Sequence, residues 1–426
     1  MQPPRTDGAT RAVRRTLERP RNRLLSIVVV TGLLGGGVGA AYLGLLKLVE
    51  HVLGPSHWSL TAHLGILAAV GVVVAVLTSW LGNPADVELL VDNIHVLGGA
   101  DEIRSLRSLI PVSLLCIGAG GALGPEAPLV TTTGTLGSWI GTRARLDRDD
   151  LRIVSIAGMA AGFTVLFGAP LGSAVFALEI LHRRGLEYYE ALLPSAVGAL
   201  CGYAVYAAAT GLGLEPVFRF PVVPGLRLAD LGWGAVAGVA GAAVAYAFTY
   251  LCVGLRRLVE LVPGPARPVL GGLVLGACAF ATPYALTNGE VQIEHLTTAR
   301  VAAASLLGAA AIKLLTSAVT LVTGWKGGFI IPLFFIGFCL AQATASRLAG
   351  SDPWILAAAL MVACNVGVTK TPIGSTLVVT EMAGMAVLPS TLLAALVSLL
   401  LTSQVGLIHS QRRRLGADDL AGEHVP

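Results

Sequence analysis

The residues that could do chemistry in this sequence form a short run of glycine and proline around one acid. Residues 124–128 read Gly-Pro-Glu-Ala-Pro within an apolar stretch, and Glu126 is the only acid between Ile103 and Leu146. This spacing predicts a helix break followed by a new helix start, which exposes backbone N–H groups and the positive end of the helix dipole. Such a start can bind an anion without a metal ion.

Glu126 stands where the anion would bind, so its carboxylate can occupy the site itself. At an effective dielectric of about 20, two like charges about 4 Å apart repel by about 4 kcal/mol. The side chain must therefore swing out, or take a proton, before an anion passes. The sequence predicts a gate at Glu126 that can also carry a proton. Two plainer interpretations stay open: the glycines permit close helix packing, or Glu126 caps its own helix.

The same arrangement occurs twice. Residues 169–173 with Glu179 match residues 371–375 with Glu381, and each pair contains a Pro-Leu/Ile-Gly-Ser run five residues before the acid. Two Gly-rich breaks precede these runs at nearly equal distances, 42 and 40 residues from proline to proline. This pattern indicates an internal duplication, with halves at about 24–212 and 230–409. The duplication alone does not decide between parallel and inverted halves.

The elements that position these residues are membrane helices. Hydrophobic residues make up 54% of the chain and charged residues 13%, and the mean hydropathy is +0.76; a soluble enzyme would carry about 25% charged residues. Several apolar runs are shorter than the ~20 residues that span a bilayer. Interrupted helices of this kind are typical of transporters and channels, where they line a polar cavity.

The charged residues concentrate at the two ends. Residues 1–23 contain seven arginines and form a predicted basic tail, and three more arginines lie in the short tail 410–426. The positive-inside rule places both tails in the cytoplasm of a plasma-membrane protein. The net charge of +4 gives no reason to expect nucleic acid. The six cysteines lie in apolar stretches without metal-ligand spacing, and no cofactor is implied.

These motifs resemble those of the CLC family of chloride channels and chloride/proton antiporters. The first break is similar to the family's G-K/R-E-G-P motif, and residues 328–332, Gly-Phe-Ile-Ile-Pro, to its G-x-F-x-P motif. The two Pro-initiated helices are similar to the family's paired A-P-L helices, and residues 288–290 to its G-x-G-Y-E stretch. The matches extend in order over about residues 80–409.

The resemblance implies a homodimer in the lipid bilayer, with an inverted repeat and one anion pathway in each subunit. It also implies that a halide passes a glutamate gate, here Glu126, with protons as a second substrate in the exchangers of the family. The groups expected to bind the anion belong to Gly124, Pro125, Ala127, Gly328, Phe329, Ile330 and Ile331.

Three departures from the family pattern bear on mechanism. Where the family has G-S-G-I-P, residues 82–86 read Gly-Asn-Pro-Ala-Asp, so Asn83 is expected to cap the helix and contribute to the anion site. The tyrosine expected after Glu381 is absent. The family's exchangers carry two consecutive acids, the second a proton relay, where this chain has Glu179-Ile180. One residue turns a helical side chain by ~100°, so Glu179 is not an obvious substitute. Lys326 either tunes the anion pathway or lies at the membrane interface.

We therefore predict an all-α polytopic membrane protein, an inverted-repeat bundle of broken and tilted helices, that is not an enzyme. It is expected to transport small inorganic anions, chloride first, in a channel-like or weakly proton-coupled manner. A chloride/proton antiporter is the alternative, and a transporter selective for fluoride or nitrate is another. An intramembrane enzyme would need a nucleophile beside a base, and an organic-anion transporter would need a wider site than these breaks suggest.

Overall fold

The computed structural model describes residues 7–99, 103–183, 187–211, 220–221, 223, 225–348 and 350–411, with side chains from residue 23 onward. These residues form sixteen α-helices joined by turns and short 3-10 segments: α1 (Asp7–Leu53), α2 (Leu60–Leu81), α3 (Val87–Val96), α4 (Leu106–Gly118), α5 (Glu126–Arg143), α6 (Arg148–Phe167), α7 (Pro170–Glu179), α8 (Leu192–Thr210), α9 (Leu228–Val259), α10 (Arg267–Ala279), α11 (Glu290–Thr298), α12 (Ala303–Val322), α13 (Ile330–Thr344), α14 (Pro353–Thr369), α15 (Pro372–Ala383) and α16 (Leu388–Thr402).

Eight of the described helices, some together with an adjoining 3-10 segment, are long and apolar enough to cross a membrane, namely α1, α2, α6, α8, α9, α12, α13 and α16. Others are far too short, since α3 and α7 have 10 residues and α11 has 9. The prediction of a polytopic all-α membrane protein with broken helices is thus confirmed. Helices α6 and α14 lie at the centre, and nearly all their residues are buried.

The two Pro-initiated helices follow sharp corners at equivalent places. Helix α6 is followed by Gly168 with φ of 64°, and α14 is followed by Lys370 with φ of 63°. Pro170 and Pro372 then occupy the first turn of the next helix, where a missing N–H costs nothing. Lys370 tolerates a left-handed conformation that disfavours side chains, because its Nζ donates to the carbonyls of Gly367 (2.5 Å) and Thr402 (2.8 Å).

Reciprocal hydrogen bonds relate the two halves of the chain. Glu179 at the end of α7 accepts the N–H groups of Ile373 and Gly374 at the start of α15. Glu381 on α15 accepts those of Leu171 and Gly172 at the start of α7. Each acid therefore caps the other helix, where it also neutralises the helix dipole. The exchange requires α7 and α15 to lie antiparallel, which is the inverted arrangement of the repeat.

Close glycine packing joins α1 to α8. A Cβ atom placed on Gly32 would lie 2.7 Å from the carbonyl oxygen of Gly198, and one on Gly36 would lie 2.5 Å from that of Gly202. Both helices thus carry glycines four residues apart, the spacing that lets membrane helices approach backbone to backbone.

The termini are only partly described. Of the seven N-terminal arginines, Arg23 has a described side chain, which donates to the carbonyl of Ala144 at 2.6 Å. Helix α1 begins at Asp7, so the predicted basic tail is largely helical. The three C-terminal arginines and most of the segment between the predicted halves lie outside the described residues.

Candidate functional site

Glu126 is the first residue of α5 and lies in the interior of the protein, with 1% of its surface exposed. Its Oε1 accepts the N–H of Ile331, at the start of α13, over 2.5 Å. The amide groups of Ile330 and of Glu126 itself also face the carboxylate. Two helix starts, one from each half, therefore converge on one buried carboxylate.

Two glycines form the walls around this carboxylate. The N–H of Gly124 donates to the carbonyl of Gly328 over 2.8 Å, and the N–H of Gly328 donates back over 2.6 Å. A Cβ atom on Gly124 would lie 2.1 Å from Glu126 Oε2, and one on Gly328 would lie 2.6 Å from it. Only glycine leaves room for the carboxylate at both positions. The exchanged bonds form an antiparallel bridge, a second two-fold contact between the halves.

The second carboxylate oxygen is less well satisfied. Glu126 Oε2 is buried and has no hydrogen-bond donor among the described residues. A buried polar atom without a partner costs about 1–3 kcal/mol. The hydrogen bond that the structure shows for this carboxylate is therefore the one through Oε1.

The predicted anion-binding residues play different parts in this structure. Ile331 donates to the carboxylate, and Ala127, Phe329 and Ile330 line the adjoining cavity. The N–H groups of Gly124 and Gly328 are already paired with each other. The two glycines therefore provide space here rather than free donors.

Pro125 and Asn83 differ from expectation. Pro125 has no N–H to donate, and its carbonyl accepts the N–H of Leu129. Asn83 is exposed and lies outside the cavity wall. The prediction that Asn83 caps the helix is wrong, because α3 begins only at Val87 and its cap is Asp86, which accepts the N–H of Leu89 over 2.9 Å.

A buried lysine holds the first break from the side. Lys313 Nζ donates to the carbonyls of Leu286 and Thr287, over 2.7 and 2.6 Å. The N–H of Thr287 in turn donates to the carbonyl of Gly120 over 2.8 Å. Helix α12 therefore fixes the glycine-rich loop that ends at Glu126.

A cavity of about 190 Å³ extends from Glu126 toward one face of the protein. Its wall combines apolar side chains with four charged residues besides Glu126. The lining residues include Asp86, Val87, Glu88, Ala127, Phe163, Ile180, Arg256, Lys326, Phe329, Ile330, Thr369, Leu407 and Ile408. The Glu126 carboxylate therefore shares one cavity with these charged side chains.

Lys326 lies on this wall rather than at a lipid-facing position. Its Nζ is 3.8 Å from Asp86 Oδ2, with 23% of the lysine side chain and 52% of the aspartate side chain exposed. The lysine sits two residues before Gly328, and the aspartate starts α3. The pair therefore connects the loop before α13 to a helix of the other half.

Glu179 and Ile180 separate as the helical geometry predicts. Ile180 lines the cavity, whereas the Glu179 carboxylate turns away and accepts the Gly374 N–H over 2.7 Å. The position next to Glu179 thus presents an apolar side chain where a second acid would face the cavity.

Sequence reasoning missed two residues of the cavity wall. Leu407 and Ile408 follow α16, and Gln411 holds them there by donating to the carbonyls of Ile180 (3.0 Å) and Thr369 (2.7 Å). Nothing local in this segment signals such a role. Asp86 did carry a signal, because it precedes an apolar helix in the way of an N-cap.

The described geometry has a glutamate among convergent helix starts, an inverted repeat and a cavity beside it. A family sequence model described as "Voltage gated chloride channel" matches residues 85–403. The chain belongs to this family, the CLC family. Its members are channels and transporters, so CLC-type anion transport follows for this chain.

Individual CLC proteins resemble this chain over most of its length. A relative from Pseudomonas syringae pv. tomato, named "Chloride/fluoride channel protein", is 29% identical over 409 residues, covering 91% of this chain and 86% of the relative. A CLC-type fluoride/proton antiporter structure superposes with a TM-score of 0.80 at 21% identity, covering 93% and 99% of the two chains. A slow cyanobacterial Cl⁻/H⁺ antiporter gives a TM-score of 0.77 at 18% identity, covering 89% and 94%. These structural likenesses establish the CLC fold.

Proposed function

We propose that this CLC protein moves small inorganic anions past Glu126, which acts as the gate. The observation that supports this most is the Glu126 carboxylate at the start of α13, bonded through Oε1 to Ile331 and unpartnered at Oε2. A small anion can accept the same N–H groups once the carboxylate leaves. The cavity then provides its route to the site.

Electrostatic repulsion prevents the Glu126 carboxylate and an anion from occupying the same site together. Half a unit charge from a helix dipole about 4 Å away attracts an anion by about 2 kcal/mol at an effective dielectric of about 20. The charged carboxylate repels the same anion by about 4 kcal/mol under those conditions. Passage therefore needs Glu126 to swing aside or take a proton, while the modest attraction of the amides still lets the ion leave.

We propose that proton coupling is absent or weak. Ile180 on the cavity wall supports this, because it cannot relay protons and Glu179 faces α15 instead. The alternative is a chloride/proton antiporter. In that case Asp86 or Glu88, which line the same cavity, would replace the missing inner acid.

Chloride is the leading substrate, and fluoride is the second candidate. The relative named as a chloride/fluoride channel protein supports both. The close glycine walls around the Glu126 carboxylate favour a small ion. The carboxylate oxygens occupy a space that a Cβ atom on either glycine would already block. Nitrate is larger and planar, so we rank it below both halides.

We also infer a homodimer in the cell membrane with both chain ends in the cytoplasm. The contact between Arg23 and Ala144 places the start of the apolar part of α1 beside the end of α5, where Arg143 and Arg145 lie. This basic cluster supports a cytoplasmic position for that face.

The experiment is anion efflux from liposomes with simultaneous pH recording, for chloride, fluoride, bromide and nitrate. We expect anion flux with little stoichiometric proton movement. Tight uphill proton transport driven by an anion gradient would instead establish the antiporter. Glu126→Gln, which keeps the shape and removes the charge, should leave flux intact or faster and abolish its pH dependence. A flux that stays pH-sensitive in this variant would exclude Glu126 as the gate.

A further inference from the structure

The cavity next to Glu126 contains an ion pair that the proposed gate does not use. Lys326 Nζ lies 3.8 Å from Asp86 Oδ2, and both side chains keep contact with the cavity. The other oxygen of Asp86 accepts the N–H of Leu89 over 2.9 Å. Asp86 thus holds a helix start and a lysine with one carboxylate.

The remaining charges of the cavity are arranged differently. Glu88 accepts the N–H of His409 over 2.7 Å, and Arg256 is exposed at the end of α9. Lys326 is one of two cationic side chains on the cavity wall, with Arg256. Of the two, Lys326 is closer in sequence to the Glu126 site, because it precedes Gly328 by two residues. An anion that moves through this cavity toward Glu126 meets an ammonium group that is already paired with Asp86.

A purely structural role for the pair is poorly supported. The distance of 3.8 Å is long for an ion pair, and 23% and 52% of the two side chains are exposed. Ion pairs with this much solvent contact contribute little to stability, because water competes and both side chains lose freedom. A cation kept at that position has more effect on a mobile anion than on folding.

We propose that Lys326 is an anion-binding residue of this cavity and that Asp86 is its resident counter-ion, which each entering halide replaces. This inference rests on the proposed function and adds a second site in series with the one at Glu126. The anion then displaces two carboxylates in turn along the pathway. It replaces Asp86 at the Lys326 ammonium group, and it replaces Glu126 at the Ile331 amide.

The test compares chloride efflux at low and high chloride for Lys326→Gln, Lys326→Arg and Asp86→Asn. At low chloride we expect Lys326→Gln to lose about tenfold of the flux, because charge in a cleft raises the local anion concentration. At high ionic strength the loss should shrink, since the Debye length falls to about 3 Å at 1 M salt. Lys326→Arg should retain the flux. Asp86→Asn, which keeps an N-cap, should raise it several-fold.

Coupling and a matched control sharpen the result. If Asp86 acts only by occupying Lys326, Asp86→Asn should gain nothing in a Lys326→Gln background. Glu294→Gln, which removes an exposed acid of α11 outside the cavity wall, should leave the low-chloride flux near that of the wild type. Equal flux for the wild type and Lys326→Gln at every chloride concentration would overturn the proposal, as would an equal loss in Lys326→Arg.

A binding measurement separates this proposal from the gate. Bromide added to crystals of Asp86→Asn should give anomalous density at Lys326, and the density should be absent in the double variant with Lys326→Gln. A wild type that carries no anion flux would end the proposed function, whereas anomalous density at Lys326 would still support the site. Transport by the wild type without density at Lys326 in Asp86→Asn would end this inference alone.

Discussion

At the scale of single residues, the site depends on what is missing from two positions. The absence of side chains at Gly124 and Gly328 makes room for the Glu126 carboxylate between the two halves. The carboxylate is held by Ile331 through one oxygen. Small changes in the glycines should therefore act on the gate without touching the acid.

Gly124→Ala is the most direct test of this room. Its Cβ atom would lie 2.1 Å from Glu126 Oε2, so the carboxylate must leave its place. We expect faster basal anion flux with weaker pH dependence, and a loss of about 1–3 kcal/mol in stability from overpacking. Liposome efflux across pH 5 to 8 measures the first effect, and thermal unfolding in detergent measures the second.

The control is Gly44→Ala, because no atom lies within 4 Å of a Cβ atom at that position of α1. This change should leave flux and its pH dependence as in the wild type. Flux that falls in Gly124→Ala and keeps its pH dependence would mean that the carboxylate does not block the pathway.

The local sequence predicted Glu126 well and its surroundings poorly. Glycine, proline and a lone acid within five residues were enough to indicate the helix start at Glu126, which the structure has, whereas the gate stays a prediction. The local sequence around Glu126 did not indicate its partners Ile331 and Gly328, because they come from the other half of the chain; the resemblance to the CLC family alone predicted them. Asp86 was assigned no role, since its contact with Lys326 exists only after the halves have packed.

At the scale of helices, the exchange of carboxylates between α7 and α15 decides which residue faces the cavity. Glu179 is fixed by the start of α15, so Ile180 is turned to the cavity wall. The sequence predicted this separation from the 100° step of a helix. It did not predict the capping exchange, which needs both helices in place.

Ile180→Glu should introduce a protonatable group on the cavity wall. We expect proton movement to accompany anion flux in this variant, because a carboxylate there can exchange protons with both the cavity and Glu126. Simultaneous chloride and pH recording on the same vesicles measures the ratio. As the control, Glu179→Gln should lower thermal stability by about 1 kcal/mol through a weaker cap and leave proton movement unchanged. Ile180→Glu with anion flux but no added proton movement would contradict this reading of the cavity wall.

Helix α3 is anchored to the end of α7 by a buried histidine outside the spanning helices. His95 contacts the Tyr188 hydroxyl and the Leu181 carbonyl, each over 2.8 Å. Burial lowers the pKa of His95 to about 4. The bond to the Leu181 carbonyl raises this pKa, whereas the nearby His182 and Arg152 contribute to lowering it. The imidazole of His95 therefore binds its proton at a lower pH in the folded protein than in the unfolded chain.

Acid should accordingly weaken the anchor of α3. The unfolded imidazole binds its proton below pH of about 6.5, so stability is full above that pH and falls as the pH drops toward about 4. We expect a loss on the order of 2 kcal/mol by pH of about 4.5 that is absent in His95→Gln. Thermal unfolding of both proteins as a function of pH measures the difference. Identical pH profiles would show that His95 is already protonated in the folded state or does not titrate in this range.

At the scale of the whole molecule, one face carries exposed apolar side chains from both halves. It is formed by α8, α7, α15 and α16, each of which packs against the next in this order. The face includes Leu171, Leu193, Leu200, Ile373 and Leu400, each with 45% or more of its surface exposed. Lipid or a second copy of the chain must cover it, and the inverted repeat gives it matching contributions from each half.

We expect this face to form the proposed homodimer. Leu200→Trp places a larger side chain on this face and should shift the purified protein from dimer toward monomer, as measured by light scattering in detergent. Val73→Trp is the control, because Val73 is 43% exposed on α2, away from that face. A wild type that is monomeric in detergent and uncrosslinked in bilayers would contradict the prediction.

The mutual capping of α7 and α15 has a consequence for ancestry. Two contacts that join the halves are made twice, once in each direction: Gly124 with Gly328, and each of Glu179 and Glu381 with the start of the other helix. A half-length polypeptide inserted in both orientations could have formed the same contacts with its own copy before the genes fused. The two halves now differ here, with an acid at Glu126 and isoleucine at its counterpart Ile330. This difference would then mark where one copy kept the gate and the other came to bind it.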